Sequence, residues 1–249
     1  MTPLPASLQH IGLMATASSL DDLIARATEK RWSPLQLLEH VADIETKDRA
    51  ERGLLARQRT CRIQRFKPMA QYDWAWPKKI DRQLVESLLS LDFLDAARNV
   101  VLVGPSGVGK TMIAKNLAHQ AILKGKTALF VTAAELLLSL NGQDSAKALD
   151  RRLAHYARPS LLVLDELGFL PFDNRNADLL FQVVNRRYEK KSIVLTTNLA
   201  FVDWPSVFPS SACTSALVER LIHHADVVPI ESQSFRVKDA QEHAAKRTK

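Results

Sequence analysis

The stretch Gly104-Pro105-Ser106-Gly107-Val108-Gly109-Lys110-Thr111 sets glycines, a lysine and a hydroxyl at the spacing G-x-x-x-x-G-K-[ST]. Glycines at Gly104, Gly107 and Gly109 let backbone N–H groups turn onto phosphate oxygens. Lys110 is then spaced to reach the terminal phosphates, and Thr111 to ligate Mg²⁺. The apolar run Asn99-Val100-Val101-Leu102-Val103 precedes the loop, and Met112-Ile113-Ala114 follows it. That strand–loop–helix context aims a helix N-terminus at the phosphates.

Further along, Leu161-Leu162-Val163-Leu164 ends in Asp165-Glu166. An ordinary strand exit also carries acids. About 50 residues after a phosphate loop, however, the pair reads as Asp165 holding Mg²⁺ through water and Glu166 polarising the attacking water. A base that serves water points to hydrolysis rather than transfer to a second substrate. A third apolar run, Ile193-Val194-Leu195, ends in Thr196-Thr197-Asn198. If that strand lies between the other two, Asn198 faces the γ-phosphate; otherwise it is a strand-end turn residue.

Arg220 lies on the amphipathic stretch Ala216 to Ile222, with Leu217 and Leu221 inward. It reads either as an ordinary surface arginine or as an arginine finger offered to a neighbouring subunit's nucleotide. Arg236, in Ser234-Phe235-Arg236, is a candidate second γ-phosphate sensor. His223 and His224 follow Arg220 without a third metal-ligand partner in sequence, and read as structural.

A different chemistry occupies Lys47 to Lys67. Arg49, Arg52, Arg57, Arg59, Arg62, Arg65 and Lys67 face only Asp48 and Glu51 as acids. A solvated helix face is one reading. The density favours contact with a phosphate backbone.

These residues require a scaffold. Residues 1 to 66 read as wholly helical. Ser33-Pro34-Leu35-Gln36 is a capping-box start. The stripe Leu35, Leu38, Ala42, Glu45, flanked by Leu37, Val41 and Ile44, forms the packed face. Phe66-Lys67-Pro68 ends that region. An aromatic connector from Tyr72 to Pro77 follows. Residues 81–97 read as one helix with Leu84, Leu88, Leu91 and Leu94 inward. Beyond it, strand-like runs at 100–103, 127–131, 161–165, 192–196 and 227–230 alternate with helical patterns at 110–124, 133–140, 145–157, 174–191 and 214–225. Such alternation implies a parallel five-stranded sheet covered on both faces, an α/β fold with the ligand at the strands' C-terminal ends.

Bulk properties agree. The 249 residues are 46% hydrophobic and 24% charged, with net charge +7. That suits a globular protein with a polyanionic partner. No apolar run approaches the roughly 20 residues of a membrane span, so no membrane partner is expected. The N-terminus makes a poor secretion signal. Cys61 and Cys213 are isolated, as in free thiols of a reducing cytoplasm.

Together, in this order, these elements resemble the AAA+ ATPases. The closer resemblance is to the DnaC/IstB branch, and within it to the IstB-like helper ATPases of insertion-sequence transposons. It rests on 66–77, GPSGVGKT, LLVLDELGFLP at 161–171, TTNLAFVDW at 196–204, LVERLIHHADVVPI and SFRVKD. Thr197 stands where serine is more usual in the TSN pattern; Asn198 is kept. The resemblance implies an AAA+ core at 67–249 without a C-terminal lid, preceded by a small all-helical domain at 1–66. Nineteen residues follow the fifth strand-like run, which agrees. It further implies an ATPase using ATP and Mg²⁺, assembly into a homo-oligomer on duplex DNA, and handover to a partner transposase. It assigns Asn198 as first sensor, Arg220 as finger and Arg236 as second sensor, and sets Trp76-Pro77 beside the adenine. The competing reading is a loader of a replicative helicase. A lone aromatic, Phe66, in the basic run favours duplex backbone over single-strand stacking.

Overall fold

The computed structural model describes residues 3–168, 173–206, 211–232, 234 and 235. The chain forms two compact units, Met1–Ala56 and Arg57–Lys249. The expected 66/67 boundary falls inside the second.

The first unit is helical: α1 (Leu4–His10), α2 (Met14–Ser18), α3 (Leu20–Glu29) and the start of α4 (Pro34–Cys61). The capping box forms, with Gln36 N donating to Ser33 Oγ at 3.3 Å and Ser33 N to Gln36 Oε1 at 2.8 Å. Glu45 is buried and accepts from the Thr16 backbone N–H at 2.8 Å. The packed face differs from the expected stripe. Leu35 and Leu38 are exposed, while Leu37, Val41 and Ile44 are half-buried. Burying Glu45 turns its flanking row inward instead.

In the second unit the sheet order is β2-β3-β4-β1-β5. The strands are β1 (Asn99–Val103), β2 (Ala128–Thr132), β3 (Leu161–Leu167), β4 (Ser192–Thr197) and β5 (Ala225–Pro229), all parallel. Alternate strand residues enter two cores. Val101, Leu162, Leu164, Ile193 and Leu195 join one. Val100, Leu102, Leu161, Val163 and Val194 join the other. Burial on both faces explains why these strands read as unbroken apolar runs. The helices are α5 (Arg82–Leu88), α6 (Asp92–Asp95), α7 (Lys110–Leu123), α8 (Ala133–Asn141), α9 (Ala146–Ala157), α10 (Asn174–Arg187) and α11 (Ser211–Ile222).

Two expected helices change. The 81–97 segment is broken between α5 and α6, where Leu91 adopts φ 68°. The reversal buries both Leu91 and Phe93 against the sheet. Helix α10 stops at Arg187 rather than 191, because Tyr188 leaves helical geometry at φ -49° and ψ 126° and Glu189 turns left-handed at φ 55°. Fully buried, the Arg187 guanidinium donates to the carbonyls of Tyr156, Ala157, Pro159, Ser160 and Ser192 at 2.6–3.2 Å. Burial pushes its pKa down to about 9, so it still carries its charge at neutral pH.

Candidate nucleotide site

The phosphate loop leaves β1 and is clasped on two sides. Gly104 N donates to Thr197 O on β4 at 3.1 Å. Beyond β5, Ile230 N donates to Val103 O at 2.8 Å and Phe235 N to Gly107 O at 3.0 Å. Two glycines are required by this packing. Gly107 has φ 81° and a Cβ there would strike Ser234 Oγ. Gly109, which opens α7 at φ 98°, would bring a Cβ within 2.6 Å of Tyr72 Cε2. Pro105 and Ser106 are exposed at the loop tip, and Val108 is buried.

Lys110 is buried and folds back, its Nζ 2.6 Å from each of the Gly104 and Pro105 carbonyls. Thr111 Oγ1 donates to Asp165 Oδ1 at 3.0 Å. The same carboxylate oxygen accepts from Thr196 Oγ1 at 2.5 Å. Thr196 Oγ1 in turn accepts from Glu166 N at 2.9 Å. Thr196 is the residue that sequence reasoning passed over in favour of Asn198. Its signal was the polar triplet closing an apolar strand.

The acid pair sits at a register shift in the β3–β4 ladder between Leu164 and Leu167. Asp165 is buried, whereas Glu166 is exposed at φ 62°. A left-handed non-glycine residue costs on the order of 1 kcal/mol, and the bulge re-aims one carboxylate out of an otherwise buried strand. Strand β4 does lie between β1 and β3, so Asn198 emerges, exposed, at its end.

A cavity of about 320 Å³ adjoins the loop. Gly107 to Met112 form one side, and Tyr72, Trp76, Pro77 and Phe235 line it further. Trp76 and Phe235 meet edge-on with centroids 5.8 Å apart. Tyr72 Oη donates to Val108 O at 3.1 Å, and burial, then Asp73, push its pKa up to about 12. An apolar, aromatic chamber beside a phosphate cradle fits a base and its phosphates. The donor set of Thr111 hydroxyl and Asp165 carboxylate is all hard oxygen, which fits Mg²⁺.

The other candidate residues are placed elsewhere. Arg220 does not line the cavity. Its guanidinium stacks 4.5 Å from the Phe181 ring centroid and 5.8 Å from that of Tyr188, both on or beside α10. Its Nη1 is buried without a hydrogen-bond partner among the described residues. Tyr188 Oη and His223 Nδ1 are 2.8 Å apart, and Glu189 approaches His223 and His224 as a third group that sequence spacing did not suggest. Arg236 lies outside the described residues.

The basic run divides. Arg52 pairs with Asp48 at 2.5 Å, and Arg57 Nε donates to Ile122 O at 3.0 Å. Arg49, Arg59 and Arg62 are exposed. Arg65 and Lys67 line the cavity beside the phosphate loop.

Comparison with known proteins agrees with this geometry. Residues 6–243 match the family described as IstB-like ATP binding protein. A protein of Bacillus thuringiensis subsp. berliner, named as an ATP-binding protein of insertion sequence IS232, is 33% identical over 236 residues, 95% of this chain and 94% of its own. A Pseudomonas aeruginosa protein, named as an ATP-binding protein of insertion sequence IS21, is 33% identical over 96% of this chain and 90% of its own. Among solved structures, DnaI superposes with TM-score 0.56 at 19% identity, covering 69% of this chain and 91% of that one. The replication initiator DnaA, bound to AMPPCP and single-stranded DNA, gives 0.52 at 19% identity over 71% of this chain and 56% of its own. Those two likenesses concern the fold, a parallel P-loop sheet flanked by helices. The chain belongs to the IstB-like ATP-binding protein family.

Proposed function

We propose that this protein is an ATP-hydrolysing regulator of transposition that assembles on duplex DNA with ATP and engages a partner transposase. The observation that carries the reading is the hydrogen-bonded chain Thr111–Asp165–Thr196–Glu166, which ties the phosphate loop to a carboxylate aimed outward. The insertion-sequence relatives support the transposition context.

In the proposed reaction, Lys110 leaves the loop carbonyls and binds the β- and γ-phosphates. Glu166 accepts a proton from water as its oxygen attacks the γ-phosphorus, and the bridging P–O bond breaks to leave ADP. Thr111 and, through water, Asp165 would hold Mg²⁺, which when bound would supply positive charge against the phosphate oxygens. Asn198 orients the water. Arg220 acts on a neighbouring copy's nucleotide. The aromatic wall of Tyr72, Trp76 and Phe235 holds the base. Arg49, Arg52, Arg59 and Arg62 supply sequence-independent contacts to DNA phosphates, and residues 1–66 act in DNA binding and assembly.

Electron microscopy with and without duplex DNA, in ATP and in ADP, tests this. Rings or filaments on duplex only with ATP support it. A monomer that ignores duplex DNA but assembles on a hexameric helicase overturns it in favour of a loader.

A further inference from the structure

Where α10 and α11 end, a second cluster of chemistry-bearing side chains lies away from the phosphate loop. Among the described residues, Glu189, His223 and His224 form a group whose ligand atoms, one carboxylate oxygen and two imidazole nitrogens, all lie within 4.8 Å of one another. All three residues are exposed. Glu189 follows Tyr188 just past α10, and the two histidines fill the turn between α11 and β5.

The two turns bring these groups together. His223 N donates to Glu219 O at 2.8 Å, so His223 still follows the α11 spiral. Consecutive side chains on a helix diverge by about 100°. His224 leaves the spiral with φ 58°, and its ring centroid comes to 3.9 Å from that of His223. Glu189 is left-handed too, with φ 55°, and sets its Oε1 3.9 Å from His223 Nδ1. Residues with a Cβ seldom adopt this conformation, and here both turns use it for the same convergence. At 3.9 Å carboxylate and imidazole are too far apart for a hydrogen bond. Two ligands of one tetrahedral zinc ion stand about 3.4 Å apart, a gap that rotation of exposed side chains closes. Tyr188 Oη, 2.8 Å from His223 Nδ1, holds that ring in place.

We propose that Glu189, His223 and His224 form a zinc site with an open fourth position. Two imidazoles and one carboxylate are the donor set of such sites, and Tyr188 is the outer partner that orients a metal-bound imidazole. Nitrogen ligands favour zinc over magnesium, which takes oxygen, so this ion differs from the one proposed at the phosphate loop. The ion joins the turn after α10 to the turn after α11. Arg220 stacks on Phe181 and Tyr188 across the same pair of helices, so the ion braces the frame that carries it. The site needs neither nucleotide nor DNA.

The test is zinc binding by the untagged full-length protein, stripped of metal and held in excess Mg²⁺, in competition with a chromophoric zinc chelator. The unaltered chain binds one equivalent. His223→Ala and His224→Ala each weaken binding by at least the roughly 10- to 100-fold that loss of an outer partner causes, and Tyr188→Phe, which keeps the ring on Arg220, by about tenfold. Thermal midpoints without zinc verify that the variants fold. At about a hundredfold excess over its Kd, zinc raises the midpoint of the second unit by roughly 5 °C in the unaltered chain and not in the double variant His223→Ala with His224→Ala. Cobalt in place of zinc reads the ligands of the unaltered chain directly, through weak d–d bands without sulfur-to-metal charge transfer. No zinc binding by the unaltered chain overturns the inference. So does equal affinity in the folded double variant, or a charge-transfer band that assigns the ion to a cysteine.

Discussion

Thr111 Oγ1 donates to Asp165 Oδ1 across 3.0 Å, joining the first turn of α7 to the end of β3. The two are 54 residues apart and meet because β4 separates β1 from β3 in the sheet. Thr196, on that intervening strand, binds the same oxygen at 2.5 Å. The carboxylate is thus held in a fixed orientation, which lowers the reorganisation that the proposed hydrolysis demands.

Lys110→Ala removes the charge-assisted contact proposed to the terminal phosphates. Hydrogen bonds to charged groups contribute about 1.5–3 kcal/mol, so nucleotide affinity falls by roughly 10- to 100-fold. Titration calorimetry with an ATP analogue measures it, and unaltered affinity would remove the loop from the proposed site.

Glu166→Gln keeps shape and hydrogen bonding but takes away the proposed base. Nucleotide binding persists while phosphate release slows by about 10²- to 10⁴-fold. Turnover equal to that of the unaltered chain assigns the proton acceptor to another group.

If Arg220 serves a neighbouring copy, Arg220→Ala and Glu166→Gln subunits complement one another. Mixing two nearly inactive proteins then restores part of the phosphate release, because some interfaces pair an intact base with an intact finger. No recovery at any ratio means that Arg220 does not act across subunits. Its stacking on Phe181 and Tyr188 is then its whole role.

Arg187→Met leaves five carbonyls without their donor. Each unsatisfied buried group costs about 1–3 kcal/mol, partly recovered by relaxation, so a loss of about 3–5 kcal/mol is expected. Calorimetry should place the melting midpoint of the second unit, Arg57–Lys249, about 10 °C lower. A change under 2 °C, of order 1 kcal/mol, shows that relaxation or water replaces the guanidinium.

Cys61 is fully buried, and burial pushes its thiol up to about 12 against 9.0 for the free group. The unfolded chain therefore loses this proton first as pH rises. Stability from this group is complete below pH 9 and declines between 9 and about 12. Cys61→Ala should flatten the alkaline limb of a urea-midpoint profile. An identical limb would mean that the thiol contributes nothing to it.

Much of the sheet was legible because strands covered on both faces leave unbroken apolar runs, as at 161–164 and 193–195. The phosphate loop and acid pair were legible because their chemistry fixes residue types at short spacing. Long-range choices were not. Leu91 turns left-handed because Phe93 must reach the core, and a heptad-like leucine pattern carries no trace of that. Glu166 owes its outward aim to a bulge set by pairing with β4. Thr196 and Glu189 gain their places only when separate segments meet. The packed row of α4 follows Glu45 and its partner Thr16, which lie 29 positions apart.

The segment after β5 offers a clock. The Phe235 amide is held by Gly107 O, so it exchanges with solvent only when it lifts from the phosphate loop. Its exchange rate therefore reads the opening free energy of the loop at a single position. A nucleotide that holds the closed form slows that rate by the factor 1 + [L]/Kd, so one amide yields both the breathing of the loop and its occupancy.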